Sequence, residues 1–195
     1  MTVDFGRNTA LIVVDVQNDF ADPSGSLYVR GGEEVVQVAN RGIARALAAG
    51  SPIFYTQDWH PESPPHFQKD GGIWPVHCVG GSWGAELHPD LLVRGEVIRK
   101  GTGGEDGYSG FTVKDPRSGD KKSTALGSLL REKDIGRVLV LGLATDYCVG
   151  ATARDAVAAG LDTTVLREWI RAVDLNPGDG ERTLSELTAA GVKVA

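Results

Sequence analysis

A chain of 195 residues with 41% hydrophobic side chains is long enough for one sizeable domain with a real core, spanning 1–195 as a single unit. Its net charge is −6 and its longest basic run is Lys121-Lys122, which excludes a nucleic-acid footprint and turns attention to a small-molecule partner. No apolar run approaches the roughly 18 residues of a membrane span, and the N-terminus MTVDFGRNT lacks the charged-then-apolar order of a signal peptide, so no membrane partner and a cytoplasmic location are expected.

Taken in chain order, the first apolar run is TALIVV at 9–14, followed by a helical pattern over about 33–49. SPIFYT at 51–56 and EVIR at 96–99 are the next two strand candidates, and a second helical pattern covers about 123–133. VLVLGL at 138–143, a helix over about 149–159, DTTVL at 162–166, a helix over about 181–190 and VKVA at 192–195 complete the series. Short continuous apolar, β-branched runs suit strands buried on both faces. Ala-Ala-Gly or Ala-Gly closes three of the helices as C-caps. This βαβ rhythm predicts an α/β fold: a doubly wound, mainly parallel six-stranded sheet with helices on both faces.

Two segments break the rhythm. Residues 57–95 form a loop-rich insertion of Pro, Gly, Trp and His, and 101–122 is rich in Gly, Asp and Lys; loops of that length are usually functional or disordered. GTGGEDG does not match a dinucleotide fingerprint and DKKST lacks the glycines of a phosphate loop, which leaves a flexible loop with Ser123 or Thr124 as the cap of the following helix.

Ligands of doubly wound sheets bind beyond the carboxyl ends of the strands, so the residues directly after each run carry the information. The first strand runs into Asp15, the second into Asp58 and His60, the third into Lys100, and the fourth into Cys148 after a short turn. Taken singly, Asp15 is better read as a turn cap and Lys100 as a solvated strand end. Cys148 precedes the helical pattern VGATARDAVAAG, and a helix N-terminus is expected to lower its thiol pKa. The two cysteines, Cys78 and Cys148, are far apart and form no CxxC, so free thiols are expected in a reducing compartment. A cysteine nucleophile needs a base and charge stabilisation. Asp15 and Lys100 offer both, whereas a cysteine-histidine pair would draw a histidine from the window 60–88 that holds all four.

Asp58 and His60 are two apart, which on an extended segment puts both side chains on the same side, and His66 and His77 can return to them through the loop. A carboxylate with imidazoles suits a divalent first-row metal ion. The spacing alone equally suits a proline-ordered surface loop whose histidines hydrogen-bond. His88, in LHPD, is read as structural.

The blocks DVQNDF (15–20), DWHP (58–61), WPVHC (74–78), Lys100-Gly101 with YSGF (108–111), and GLATDYCV (142–149) resemble the nicotinamidase/pyrazinamidase branch of the isochorismatase-like cysteine hydrolases, in the family's order from Thr9 to Val194. The resemblance implies a catalytic triad of Asp15, Lys100 and Cys148, and a metal site of Asp58, His60 and His77 for zinc foremost, or iron or manganese. Many relatives have serine where this chain has His66; some carry histidine there as a further ligand, and that role is expected here. The resemblance also implies Phe20 and Trp74 as walls of a pyridine pocket and Tyr108 at its mouth, although the spacing from Lys100 to Tyr108 is one residue longer than in some relatives. It further implies a non-proline cis peptide at Leu143-Ala144, with the amides of Ala144 and Cys148 as an oxyanion hole.

The activity so implied converts nicotinamide to nicotinate and ammonia through a cysteine thioester, with pyrazinamide as a further substrate. The alternatives on the same fold are a metal-independent amidohydrolase of the carbamoylsarcosine type or an isochorismatase. Neither needs the Asp58, His60 and His77 set, and the latter typically lacks the cysteine. A non-catalytic metal-binding or ligand-sensing protein would have no use for an acid, a lysine and a thiol on converging strand ends. The sequence leaves open whether the chain assembles as a homo-oligomer.

Overall fold

In the computed structural model, which describes residues 4–195, the order of elements is β1 (Thr9–Val14), α1 (Asn18–Ala21), α2 (Gly32–Ala49), β2 (Ile53–Asp58), β3 (Glu96–Lys100), β4 (Thr112–Lys114), β5 (Lys121–Ser123), α3 (Leu126–Glu132), β6 (Arg137–Leu143), α4 (Gly150–Ala158), β7 (Asp162–Arg171), α5 (Asp179–Ala189) and β8 (Lys193–Val194). β1 is buried along its whole length, and its side chains alternate between two cores. Leu11 and Val13 enter one, Ala10, Ile12 and Val14 the other. A strand apolar at every position therefore needs a layer on each face. α2 covers one face through Val35, Val36, Ala39, Ile43 and Ala46. α3, α4 and α5 cover the other through Leu126, Leu130, Ala153, Ala156, Leu184 and Leu187.

The six-stranded sheet has the order β3-β2-β1-β6-β7-β8, and all five pairings are parallel. The chain builds outward from β1 to β3, then returns to place β6 against the free side of β1. The order reverses between β1 and β6, and a crevice opens at such a switch point beyond the strand ends. Asp15 leaves β1 there, and the segment carrying Cys148 leaves β6.

Several boundaries differ from the sequence reading, each for a local reason. β7 runs to Arg171 rather than 166, because after a register shift its second half pairs Gly142 with Ile170 and Leu143 with Arg171; the partly exposed REW stretch hid this from a search for apolar runs. The 101–122 loop contains β4 and ends in β5, an antiparallel hairpin whose three-residue strands are largely exposed and carry little hydrophobic signal. α3 accordingly starts at Leu126, with Ala125 at its cap position. Ser123 lies in β5, while Thr124 Oγ1 accepts the Leu126 N–H at 3.2 Å. α4 is preceded by a π-helical turn at Thr145–Val149, so Cys148 sits within that turn. The glycine caps are as expected: Gly50, Gly160 and Gly191, which come after α2, α4 and α5, have φ of 70°, 82° and 94°, in the left-handed region glycine enters without a Cβ penalty.

The 57–95 insertion is ordered by two 3₁₀ turns, Gln68–Asp70 and Trp83–Ala85, and by parallel bridges His60 to Val79 and Phe67 to Trp74. Phe67 is fully buried and its ring lies edge-on to those of His60, His66 and His77. His88 Nδ1 accepts the Asp90 N–H at 3.2 Å, a local turn role. Among the described residues, no helix is long and apolar enough to cross a membrane.

Candidate active site

β2 and β3 pair in register so that Asp58 stands beside Lys100. Neighbours on parallel strands project to the same side of a sheet, and here the two side chains meet in a hydrogen bond between Lys100 Nζ and Asp58 Oδ1. Lys100 Nζ also lies 2.8 Å from Asp15 Oδ2 and 3.7 Å from Cys148 Sγ. Asp15 ends β1 with φ of 47°, a conformation that Asp tolerates better than most residues. Its Oδ1 accepts the Thr56 hydroxyl at 2.6 Å. Oδ2 is paired with the Lys100 ammonium at 2.8 Å.

Cys148 is held by the π-turn, in which the Tyr147 and Val149 N–H groups both donate to Ala144 O, at 3.1 and 3.0 Å. The Asp146 carboxylate accepts from Val173 N at 2.9 Å and Asp174 N at 2.8 Å, fastening this turn to the segment after β7. The Leu143-Ala144 peptide is cis, as the resemblance implied.

Burial dominates the electrostatics. Asp15, Lys100 and Asp58 are 0%, 1% and 5% exposed, so each charge depends on its neighbours. Burial alone would lower Lys100, but the carboxylates of Asp15 and Asp58 hold it well above its ordinary pKa, as an ammonium. Burial pushes Asp58 upward, yet Lys100 and His60 more than offset it and keep the carboxyl below the usual range. Burial raises Asp15 despite the pull of Lys100. Burial also pushes the Cys148 thiol well up, against Lys100. This runs against the lowering expected from a helix N-terminus: desolvation comes first, and the carboxylates of Asp15 and Asp58 add to it against the ammonium of Lys100.

The second half of the site is a set of imidazoles. One ring nitrogen from each of His60, His66 and His77 lies within 4.8 Å of the others. His77 Nδ1 is 2.8 Å from Pro75 O; as the donor there it leaves the Nε2 lone pair for a metal, the usual arrangement of a ligating histidine. His60 Nδ1 and both nitrogens of His66 are buried without a hydrogen-bond partner. Orphaned buried polar atoms are costly, and a cation accepting lone pairs from this cluster removes part of that cost. Burial lowers His77 and takes His66 down to about 4, which keeps both lone pairs available at neutral pH. Asp58 Oδ2 lies 3.6 Å from His60 Nε2. Three imidazoles and a carboxylate suit a divalent first-row ion. Gly101 has φ of 72°, and a Cβ there would come within 2.6 Å of His60 Cε1 and Nδ1, so the residue after Lys100 must be glycine for the imidazole to seat.

Both halves face one cavity of about 50 Å³, lined by Asp58, the three histidines and Cys148, with Phe20, Trp74, Tyr108, Tyr147, Leu143 and Ala144 among its walls. The Trp74 indole N–H donates to the Tyr108 hydroxyl at 2.9 Å, and the Trp74 and Tyr147 rings meet edge to face at 4.9 Å. Tyr108, 37% exposed, stands at the rim. Asp15 and Lys100 are behind the thiol, outside the cavity lining.

Asp58, His60, His66, His77, Cys148, Phe20, Trp74, Tyr108 and Ala144 thus line one cavity, with Asp15 and Lys100 behind it and Cys78 and His88 outside it; Asp58 groups with Asp15 and Cys148 rather than within the imidazole cluster. Four that contribute were missed: Thr56, Gln17, Tyr147 and Asp106. Thr56 is a polar residue inside an apolar run, a signal that was there to be read, whereas Gln17 sits in the polar stretch DVQND and carries none. Tyr147 adjoins Cys148 within the block GLATDYCV and was given no role. Asp106, whose Oδ1 is 3.7 Å from His66 Nδ1, lay in a stretch read as a flexible loop.

The Isochorismatase domain model matches residues 9–194. The nicotinamidase of Escherichia coli strain K12 is 36% identical over 200 residues, covering 93% of this chain and 92% of its own. A crystal structure of pyrazinamidase of Pyrococcus horikoshii in complex with zinc superposes with a TM-score of 0.86 at 38% identity, over 96% of this chain and 98% of its own. The structure of PnC1 from L. infantum in complex with nicotinate superposes with a TM-score of 0.90 at 36% identity, over 100% and 96%.

Proposed function

The chain belongs to the isochorismatase domain family, and from that premise we propose that it is a nicotinamidase, hydrolysing nicotinamide to nicotinate and ammonia, and acting on pyrazinamide as well. The observation that carries this reading is the union in one cavity of a buried thiol backed by an acid and an ammonium with a three-imidazole cluster between aromatic walls. Asp58, His60, His66 and His77 would hold a divalent ion, zinc foremost. When bound, that ion supplies a Lewis-acid contact for the ring nitrogen, an aid to orientation.

The protein's own residues supply the covalent chemistry. Phe20 and Trp74 flank the flat ring and exclude water from it. Asp15 takes the thiol proton, and Lys100, 3.7 Å from the sulfur, stabilises the thiolate as it forms. The sulfur bonds to the carboxamide carbon, and the main-chain amides of Ala144 and Cys148 stabilise the resulting oxyanion. Asp15 returns its proton to the departing ammonia as the C–N bond breaks, leaving a thioester on Cys148. Water, deprotonated by Asp15, then attacks the thioester carbonyl, and nicotinate leaves as the thiol re-forms. The raised pKa of Asp15 suits a group that must both accept and give a proton. We place the protein in the cytoplasm, where two free thiols remain reduced. The test is to supply zinc-loaded protein with nicotinamide and follow products: nicotinate and ammonia in equal amounts support the reading, and absence of both overturns the substrate.

A further inference from the structure

We propose that Gln17 is a positioning residue whose side-chain amide takes the place of the strand that β2 lacks beyond the end of β1, and so holds Asp58 between Lys100 and the histidines. The proposal rests on the reading of Asp58 as a ligand that also anchors Lys100.

β1 and β2 run side by side only as far as the pair Val14 and Thr56. Asp15 then turns the chain away with φ of 47°, while β2 continues to Asp58. On its other side Asp58 remains in register with β3, opposite Lys100. On the vacated side its peptide N–H and C=O would face no partner. Gln17 fills both roles: Asp58 N donates to Gln17 Oε1 at 2.8 Å, and Gln17 Nε2 donates to Asp58 O at 2.8 Å. A primary amide presents the same acceptor and donor as a peptide group, so this two-point contact reproduces the hydrogen-bonded pair of an antiparallel ladder. The second Nε2 hydrogen goes to Ala85 O at 2.8 Å, which also accepts Gln57 Nε2 at 2.8 Å. The side chain therefore ties the end of β2 to the Trp83–Ala85 turn of the insertion as well. Gln17 is 0% exposed and both its amide hydrogens are used, which is why a shorter or apolar side chain does not substitute.

Asp58 is the one residue common to both halves of the site, with Oδ1 on Lys100 and Oδ2 3.6 Å from His60. Rotation of its main chain would move the carboxylate out of one contact or the other. The three side-chain bonds of Gln17 go to the main chain of Asp58 and to Ala85 O, and none reaches Cys148 or the histidines, so it acts through Asp58.

The test measures zinc affinity of the full chain by competition with a chromogenic chelator, alongside thermal melting, for wild type, Gln17→Met, Gln17→Asn and Asp58→Asn. Gln17→Met keeps the length without the polar atoms, and Gln17→Asn keeps the amide one methylene short of its partners. The expected result is a loss of zinc affinity of about 10- to 100-fold, the range typical of outer-sphere residues, in whichever Gln17 variant melts cooperatively, with kcat falling alongside. Affinity within about twofold of wild type in either folded Gln17 variant, with a clear loss in Asp58→Asn, overturns the assignment of Gln17 alone. Unchanged affinity in Asp58→Asn overturns the ligand reading on which it rests.

Discussion

The ammonium of Lys100 stands 3.7 Å from the sulfur of Cys148, with both side chains buried. Lys100 is thus the common neighbour of the thiol, the Asp15 carboxylate and the Asp58 carboxylate, and the site has one cation for three groups that carry or acquire negative charge.

Replacing Lys100 by Met leaves Asp15 and Asp58 buried and unpaired. Breaking a buried ion pair by removing one partner costs about 3–5 kcal/mol, and for a chain of this size that corresponds to a fall in Tm on the order of 10 °C. Calorimetry on Lys100→Met checks the stability effect; an unchanged Tm would show that the ammonium is not the charge compensating those acids. Turnover should fall with it, since the thiolate loses its counter-ion.

Cys148→Ala removes the nucleophile without adding volume. Losing a nucleophile that acts as part of a unit lowers kcat by several orders of magnitude, at least about 10⁴-fold, while Phe20, Trp74 and the imidazoles remain. Steady-state rates together with calorimetric binding of nicotinate should therefore separate, with turnover lost and nicotinate affinity kept within about threefold.

Alkylation distinguishes the two thiols. Cys148 lines the cavity, whereas Cys78 is 0% exposed and outside it. Burial raises both thiol pKa values, so access decides the order of reaction. Iodoacetamide followed by peptide mapping should modify Cys148 first, and saturating nicotinate should slow that reaction. Faster labelling of Cys78 would place the open thiol elsewhere.

Removing the metal with a chelator should lower activity and nicotinamide affinity together and expose a pH dependence of stability. In the metal-free protein burial takes His66 from about 6.5 to about 4 and lowers His77. A base with a depressed folded pKa binds fewer protons in the folded state than in the unfolded one. Its contribution is complete above the unfolded value near 6.5 and is lost as pH falls toward the folded value near 4. Urea unfolding of the chelated protein at several pH values across that window should show declining stability, and His66→Gln should show a shallower decline. Equal slopes would mean that His66 is protonated alike in both states.

Much of this was legible because doubly wound sheets concentrate information at strand ends. TALIVV running into Asp15 announces a strand buried on both faces together with the acid at its end; EVIR announces the strand that ends in Lys100, although β3 lies at the sheet edge with Glu96, Val97 and Arg99 exposed. The β4-β5 hairpin was not legible, since Lys121 and Lys122 are exposed and the pairing with Thr112–Lys114 is a property of the fold. Gln17 was passed over because a glutamine inside VDVQND has no periodic signature; its role appears only once Asp58, 41 positions later, lies beside it. The thiol pKa was misread for a related reason: helix position is written locally in the sequence, while the desolvation that outweighs it depends on the whole packed site.

The most direct measurement is mass spectrometry of the metal-loaded protein quenched in acid during turnover of nicotinamide. A nicotinoyl adduct mapped to the Cys148 peptide, formed and lost at rates matching kcat, is the expected result. Turnover that continues while Cys148 carries no adduct at any time, or an adduct on another residue, would contradict a thioester at this sulfur and with it the roles given to Asp15 and Lys100.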